Sequence, residues 1–248
     1  MNNSIRHRTG VQRWNPSYAY NLTGWYDAAD KNTITVNGSN QVSEWRDKSS
    51  AAIPFYQTTD ADKPLSNVRS LAGLNLIDFD GVSDLLLTDY GLGSSIFEVH
   101  MVTVIDSTAL QSIATASAGP FEYRIIDEYN VYVEAGTVLP TTLPHSITGA
   151  NLHGILIDGY GSQIYSRGEV RVTGNAGNGT WGATAWLGSY AGYMQYFDGA
   201  IGEIIAYSGN DGTQRQKIEG YLAWKWGLIW QLPTTHPYKQ HPPLAGDI

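Results

Sequence analysis

The sequence predicts an all-β protein, a sandwich or barrel of short strands with one short helix near the C-terminus. Three observations carry that expectation. Segments of five to ten residues rich in Val, Ile, Tyr, Phe and Trp recur from Leu22 to about Ser208, and these residues suit a pleated, half-buried surface. Turn dipeptides separate them: Asn37-Gly38, Asp80-Gly81, Asp158-Gly159, Asn178-Gly179 and Asp198-Gly199. The 248 residues include 27 Gly and 16 Tyr, and only 15% are charged, a balance typical of turn-rich globular β proteins.

The elements follow in order. Residues 1–21 carry Arg6, Arg8 and Arg13 and no acidic residue, within a chain whose formal charge is −8. Their apolar residues follow no helix or strand period. Fully extended, such a stretch spans roughly 66–72 Å. It reads as a basic N-terminal arm that anchors the chain to acidic patches of a neighbour. Residues 22–230 form the domain. Its expected strands are 22–27, 41–46, 75–79, 84–88, 96–105, 121–126, 130–134, 153–158, 169–173, 184–188 and 199–207. The nearly continuous run Met101–Ile105 reads as a central strand. No repeat of 20–50 residues is present, which argues against a propeller or solenoid. A helix is expected over about 213–226: Thr213 and Gln216 fit a capping box, Ile218, Tyr221, Leu222 and Trp226 share a face, and Gly227 follows as the stop. The Pro-rich residues 231–248 read as an extended surface tail.

Composition also excludes chemistry. Without cysteine there are no disulfides, thiolate zinc sites or Cys nucleophiles. An acidic chain without a Lys/Arg run is a poor nucleic-acid ligand. No 18-residue apolar run is present to span a membrane. The first residues hold no apolar signal-peptide core, so the expected site of synthesis is a cytoplasm, without export by a standard secretory signal. The sequons at Asn2, Asn21, Asn37 and Asn178 then read as chance.

Catalytic motifs are missing. There is no HExxH, no GxSxG and no phosphate-binding loop. The six His residues show no metal-ligand spacing, and His100 and His153 read as structural. Glycosidases need two carboxylates on one face. Glu44 and Asp47, three apart on a strand, would point to opposite faces, Glu203 stands alone, and Asp127-Glu128 sit at a strand end. Asp27, Asp30 and Asn32 resemble the start of a calcium loop, but its Gly and closing Glu are missing, and turn capping is the better reading of the two Asp residues. The remaining binding candidates are aromatics in predicted loops: Tyr160, Trp181, Tyr190, Tyr193 and Tyr196. Such rings stack on sugar faces, and core packing is the competing reading.

Several stretches together resemble a known family. They are Gly24–Asp30 (GWYDAAD), Val42–Ser49 (VSEWRDKS), Phe79–Leu86 (FDGVSDLL), Phe197–Tyr207 (FDGAIGEIIAY) and Arg215–Gly227 (RQKIEGYLAWKWG). The chain is similar to the laminin-G-like branch of the concanavalin A-like lectin/glucanase superfamily, and especially to phage and bacterial modules that close on EGYLAxKWGL…LP…HPY. The similarity spans about 24–238 and is weak over 106–180. It implies a two-sheet antiparallel jelly-roll β-sandwich with a short helix at its edge, no catalytic residues, and Trp25, Trp45, Phe79, Trp224 and Trp226 as packing residues. It further implies a virion surface protein, a head decoration, fibre or tail component, bound through its arm to capsid or tail proteins. Such a protein would be homo-oligomeric and would contact host glycans. A free-standing carbohydrate-binding adhesin is the alternative, and a glycoside hydrolase is the third reading.

Overall fold

Seventeen strands and one α-helix make up the main regular structure of the computed structural model, which describes residues 12–91, 96–117, 121–182 and 184–247. The strands are β1 (Leu22–Asp27), β2 (Ile34–Val36), β3 (Val42–Trp45), β4 (Phe55–Tyr56), β5 (Leu65–Leu71), β6 (Leu74–Asp80), β7 (Leu86–Thr88), β8 (Phe97–Ile105) and β9 (Gln111–Ala116). They continue as β10 (Phe121–Ile125), β11 (Asn130–Glu134), β12 (Val138–Thr142), β13 (Gly149–Ile157), β14 (Ser162–Ser166), β15 (Glu169–Gly174), β16 (Ala185–Leu187) and β17 (Asp198–Ser208). Helix α1 is Gly212–Lys225. The strands form two antiparallel sheets. One has eight strands, in the order β15-β14-β13-β8-β17-β6-β5 with β1 also on β17. The other has nine, in the order β12-β11-β10-β9-β16-β7-β4-β3-β2. This is the expected two-sheet sandwich.

All eleven expected strands are present, 22–27 and 130–134 with the expected bounds and the others with shifted ends. β8 is central, flanked by β13 and β17. Six further strands, β2, β4, β5, β9, β12 and β14, lie outside the segments the sequence marks as strands. β2 and β4 are only three and two residues long, and the others mix Ser, Thr, Asn, Gln, Arg or Pro into their apolar residues. In β9, Gln111 Oε1 accepts from Asp198 N and Ser112 Oγ donates to Glu122. β12 holds Pro140, tolerated because it is an edge strand.

Two local expectations are corrected. Asp198-Gly199 is no turn: both residues open β17, opposite Asp80 and Phe79 of β6. The helix begins two residues earlier than the capping box implied. Asp211 is the N-cap, and its carboxylate accepts from Thr213 N and Gln214 N, a stronger acceptor than the Thr213 hydroxyl. Gly227, at φ +70°, ends the helix as expected.

The core is in two slabs. Between the sheets lie Tyr26, Trp45, Phe55, Phe79, Phe97, Phe121, Trp181 and Phe197 with the aliphatic side chains. The second slab lies on the outer face of the eight-stranded sheet, where Ile218, Leu222, Ala223 and Trp226 of α1 meet Leu76, Val102, Leu152 and Ile205. Residues 12–15 and the tail complete this layer. Trp14 N donates to Pro243 O, Ala245 N donates to Gln12 O, and Trp14 packs edge-on to Tyr221. Thus three layers stack: the nine-stranded sheet, the eight-stranded sheet, and the helix with both chain ends.

His153 bridges the two sheets inside the core. Its Nε2 faces the Thr103 hydroxyl at 2.8 Å and its Nδ1 the Tyr123 hydroxyl at 2.9 Å. The neutral ring satisfies both, donating from one nitrogen and accepting at the other. Burial, aided by neighbouring histidines, pushes its pKa down to about 3. The unfolded chain therefore takes up this proton near the usual histidine value while the folded chain resists it. Stability rises with pH between those two values, so acid removes it. We expect denaturant unfolding to lose up to about 5 kcal/mol between pH 7 and pH 3 through this residue. In His153→Phe that part of the acid loss should vanish, and an unchanged pH profile would contradict the assignment.

Candidate functional site

The two outer faces of the sandwich differ. Helix α1 and both chain ends cover that of the eight-stranded sheet. On the nine-stranded sheet the register places one row of outward side chains directly opposite one another. It runs Thr35, Glu44, Tyr56, Leu87, Trp186, Thr115, Glu122, Glu134. Their chain neighbours Trp45, Phe55, Leu86, Leu187, Ala114, Tyr123 and Val133 point into the core, as strand alternation requires.

The segment 188–197, which follows β16, folds onto this face. The Thr115 hydroxyl donates to Ser189 O and accepts from Ala191 N. Tyr190 N donates to Met194 O. Gly192, at φ +82°, presses so close to Trp186 that a Cβ would lie 2.8 Å from the indole nitrogen. Tyr190 is thereby held over the sheet. Arg124 lies against two rings, 5.0 Å from the Tyr190 centroid and 5.1 Å from that of Tyr132. Glu122 fixes the guanidinium: Arg124 Nε is 2.6 Å and Nη2 2.5 Å from Oε1. The Glu122 carboxylate also accepts from Ser112 Oγ and from Tyr132 OH. Burial, with Glu122 next, pushes the Tyr132 phenol well above its usual range.

Beside this stack is a cleft of about 320 Å³ lined by Thr115, Ser117, Phe121, Glu122, Glu134 and Tyr190. It combines one aromatic wall, two hydroxyls and two cross-strand carboxylates. A cavity of similar size, about 330 Å³, lies between the arm, α1 and the tail. Its aromatic groups already serve the chain's own packing: Trp14 meets Tyr221, and Trp224 Nε1 donates to Tyr238 O. The cleft on the open sheet is therefore the candidate site.

The predicted residues fall differently. Tyr190 lines the cleft, and Tyr193, 63% exposed, stands on the same Tyr190–Met194 turn. Tyr160 is 86% exposed but sits between β13 and β14 of the other sheet, outside the cleft lining. Trp181 is corrected: it is 0% exposed and stacks on Phe121 with 4.8 Å between centroids, so it backs the cleft wall from inside the core. Arg13 pairs with Leu244 of the tail through the backbone, while Arg6 and Arg8 lie outside the described residues. Asp27 and Asp30 are taken by lysines, Lys48 by both and Lys225 by Asp27. Lys48 holds the Asp30 carboxyl below its usual range. Asp27 also caps its turn, accepting from Ala29 N. Among the described residues no group of three or more His, Cys, Asp or Glu could hold a metal ion.

Glu122, Arg124, Tyr132 and Glu134 went unnoticed in the sequence because carboxylate pairs were sought along single strands. The signal was present: FEYRI and NVYVE alternate cleanly, and a tight turn between them sets Glu122 opposite Glu134.

No family model and no curated protein matches the chain by sequence. Solved structures do match in fold. Domain 4 of an extracellular arabinanase from Geobacillus stearothermophilus, in complex with arabinotriose, superposes with a TM-score of 0.55 at 14% identity, covering 78% of this chain and 95% of that one. The botulinum neurotoxin serotype G binding domain gives 0.58 at 10% identity, covering 86% of this chain and 54% of that one. A Trypanosoma rangeli sialidase in complex with sialic acid gives 0.55 at 12%, covering 83% of this chain and 33% of that one. The chain thus spans about half of the toxin domain and a third of the sialidase. The fold is a lectin-like β-sandwich.

The placement of Trp181 has a measurable consequence. Trp181→Ala should cost about 3–5 kcal/mol of stability, as removal of a buried indole does. Thermal unfolding checks this, and an unchanged midpoint would return Trp181 to the surface.

Proposed function

We propose that this chain is a non-catalytic carbohydrate-binding module and that the cleft beside Tyr190 is its site. The observation that carries this reading is the combination of a fixed aromatic ring and hydrogen-bonding groups on a sheet face that the chain leaves open. Sugars need an apolar ring to stack on and polar groups to orient them. The lectin-like fold supports the reading, as do the sugar complexes of its arabinanase and sialidase neighbours.

Binding rather than hydrolysis is favoured by the state of Glu122. Its oxygens are engaged by Arg124, Ser112 and Tyr132. A general acid must hold a proton it can pass to the leaving group, whereas both oxygens of this carboxylate already accept hydrogen bonds from the chain's own side chains. Both ends of the described chain lie on the layer opposite the cleft. Attachment through them would turn the cleft outward. Display on a virion, with the basic arm 1–21 as anchor, is the form of attachment that the closing EGYLAxKWGL stretch suggests.

Shallow lectin-type sites bind in the micromolar-to-millimolar range, about −8 to −4 kcal/mol. On a glycan array the folded protein should retain at least one class of glycan. Tyr190→Ala should weaken that binding about tenfold while the variant remains folded at the assay temperature, because Tyr190 is only part-buried and lies outside the two core clusters. Tyr160→Ala should leave it unchanged. A blank array, or equal loss in both variants, would refute the assignment.

A further inference from the structure

We infer that the cleft selects sugars bearing a free, protonated amine and discriminates against acidic sugars. This rests on the carbohydrate-binding reading above and goes on to name the ligand class. Glu122 is compensated by Arg124, with Nη2 2.5 Å away. Arg124 packs against the rings of Tyr190 and Tyr132, and its Nε and Nη2 are turned to Glu122. It is therefore poorly placed to receive a ligand carboxylate. Glu134 lines the same cleft, directly opposite Glu122 on β11. It has no hydrogen-bond or ion-pair partner among the described residues. The lining of the cleft thus carries one uncompensated negative charge beside an aromatic face.

Two further features point the same way. The other polar groups of the lining, Thr115 and Ser117, are neutral hydroxyls, and among the described residues no lysine, arginine or histidine lines the cleft. The Thr115 hydroxyl is also committed, donating to Ser189 O and accepting from Ala191 N. A ligand that brings its own donor is therefore better served than one that brings an acceptor. A sugar stacked on Tyr190 with its ammonium toward Glu134 would gain both the ring contact, strengthened for a cation over an aromatic face, and the ion pair. A uronate or sialate in the same pose would set like charges together.

The test uses three oligosaccharides of matched length: a chitosan tetrasaccharide, a chitin tetrasaccharide and an oligogalacturonate. Calorimetric titration is run at a pH where the sugar amine is protonated. The chitosan probe should bind about fivefold tighter than the chitin probe, the gain expected of one partly exposed ion pair, and the oligogalacturonate weakest. In Glu134→Gln the chitosan-to-chitin ratio should fall toward one. Glu169→Gln, which removes one charge from the opposite sheet, should leave the ratio as it is and so separates the cleft from general attraction to an acidic protein. A ratio equal in wild type and Glu134→Gln, or tightest binding of the oligogalacturonate, would overturn the selectivity. If all three fail to bind wild type, the selectivity falls. If other glycans then bind in a Tyr190-dependent way, the module reading survives it.

Discussion

The buried carboxylate of Glu203 ties helix α1 to the eight-stranded sheet. It is 0% exposed and accepts four hydrogen bonds: from Trp25 Nε1 and Trp226 Nε1 at 2.8 Å, Tyr221 OH at 3.0 Å and Lys225 Nζ at 2.6 Å. Those donors come from β1 and from the end of α1, while Glu203 itself sits at the irregularity in β17. Burial pushes its carboxyl up and Lys225 opposes this. Lys225 also reaches Asp27, which shares Lys48 with Asp30. A buried ion pair adds little net stability, but removing one partner strands the other charge at a cost of about 3–5 kcal/mol. The network therefore specifies where the helix docks.

That docking decides which surface is left for binding. Once α1 and the chain ends lie on the eight-stranded sheet, its outward residues become a second core, and Val102, Leu152 and Ile205 are buried with the helix. Among the described residues no helix or chain end covers the nine-stranded sheet, and its outward row is, apart from Leu87, polar or aromatic. Burying that row would leave Glu134 as an unpaired charge, which is expensive.

The site is preorganised by the same kind of interaction on a smaller scale. Glu122 fixes Arg124, Arg124 supports Tyr132 and Tyr190, and Thr115 pins the segment that carries Tyr190. Phe121 and Trp181 back the cleft wall from the core. A ligand then meets a wall that is already ordered and loses less entropy on binding.

Much of the fold was legible in the sequence because strands with two distinct faces announce themselves by alternation, and FEYRI and NVYVE did so. The polar strands β5, β9 and β14 did not, because their Ser, Asn, Thr and Gln interrupt the apolar alternation, and some, such as Thr115 with Ser189 and Ser166 with His145, find partners only in the folded chain. The fate of the loop aromatics was also hidden. Nothing local distinguishes Trp181, which is sealed in the core, from Tyr160, which stands in solvent. The sequence by itself determined the β class, the helix with its Gly227 stop, and the packing role of Trp45, Phe79 and Trp226. Only the tertiary structure decided which sheet face stays open and that Glu122, Glu134 and Tyr190 meet there. The reason is physical: alternation is a property of neighbours along the chain, whereas cover and charge compensation are set by partners such as Glu203 and Lys225, or Thr115 and Ser189, that only folding brings together.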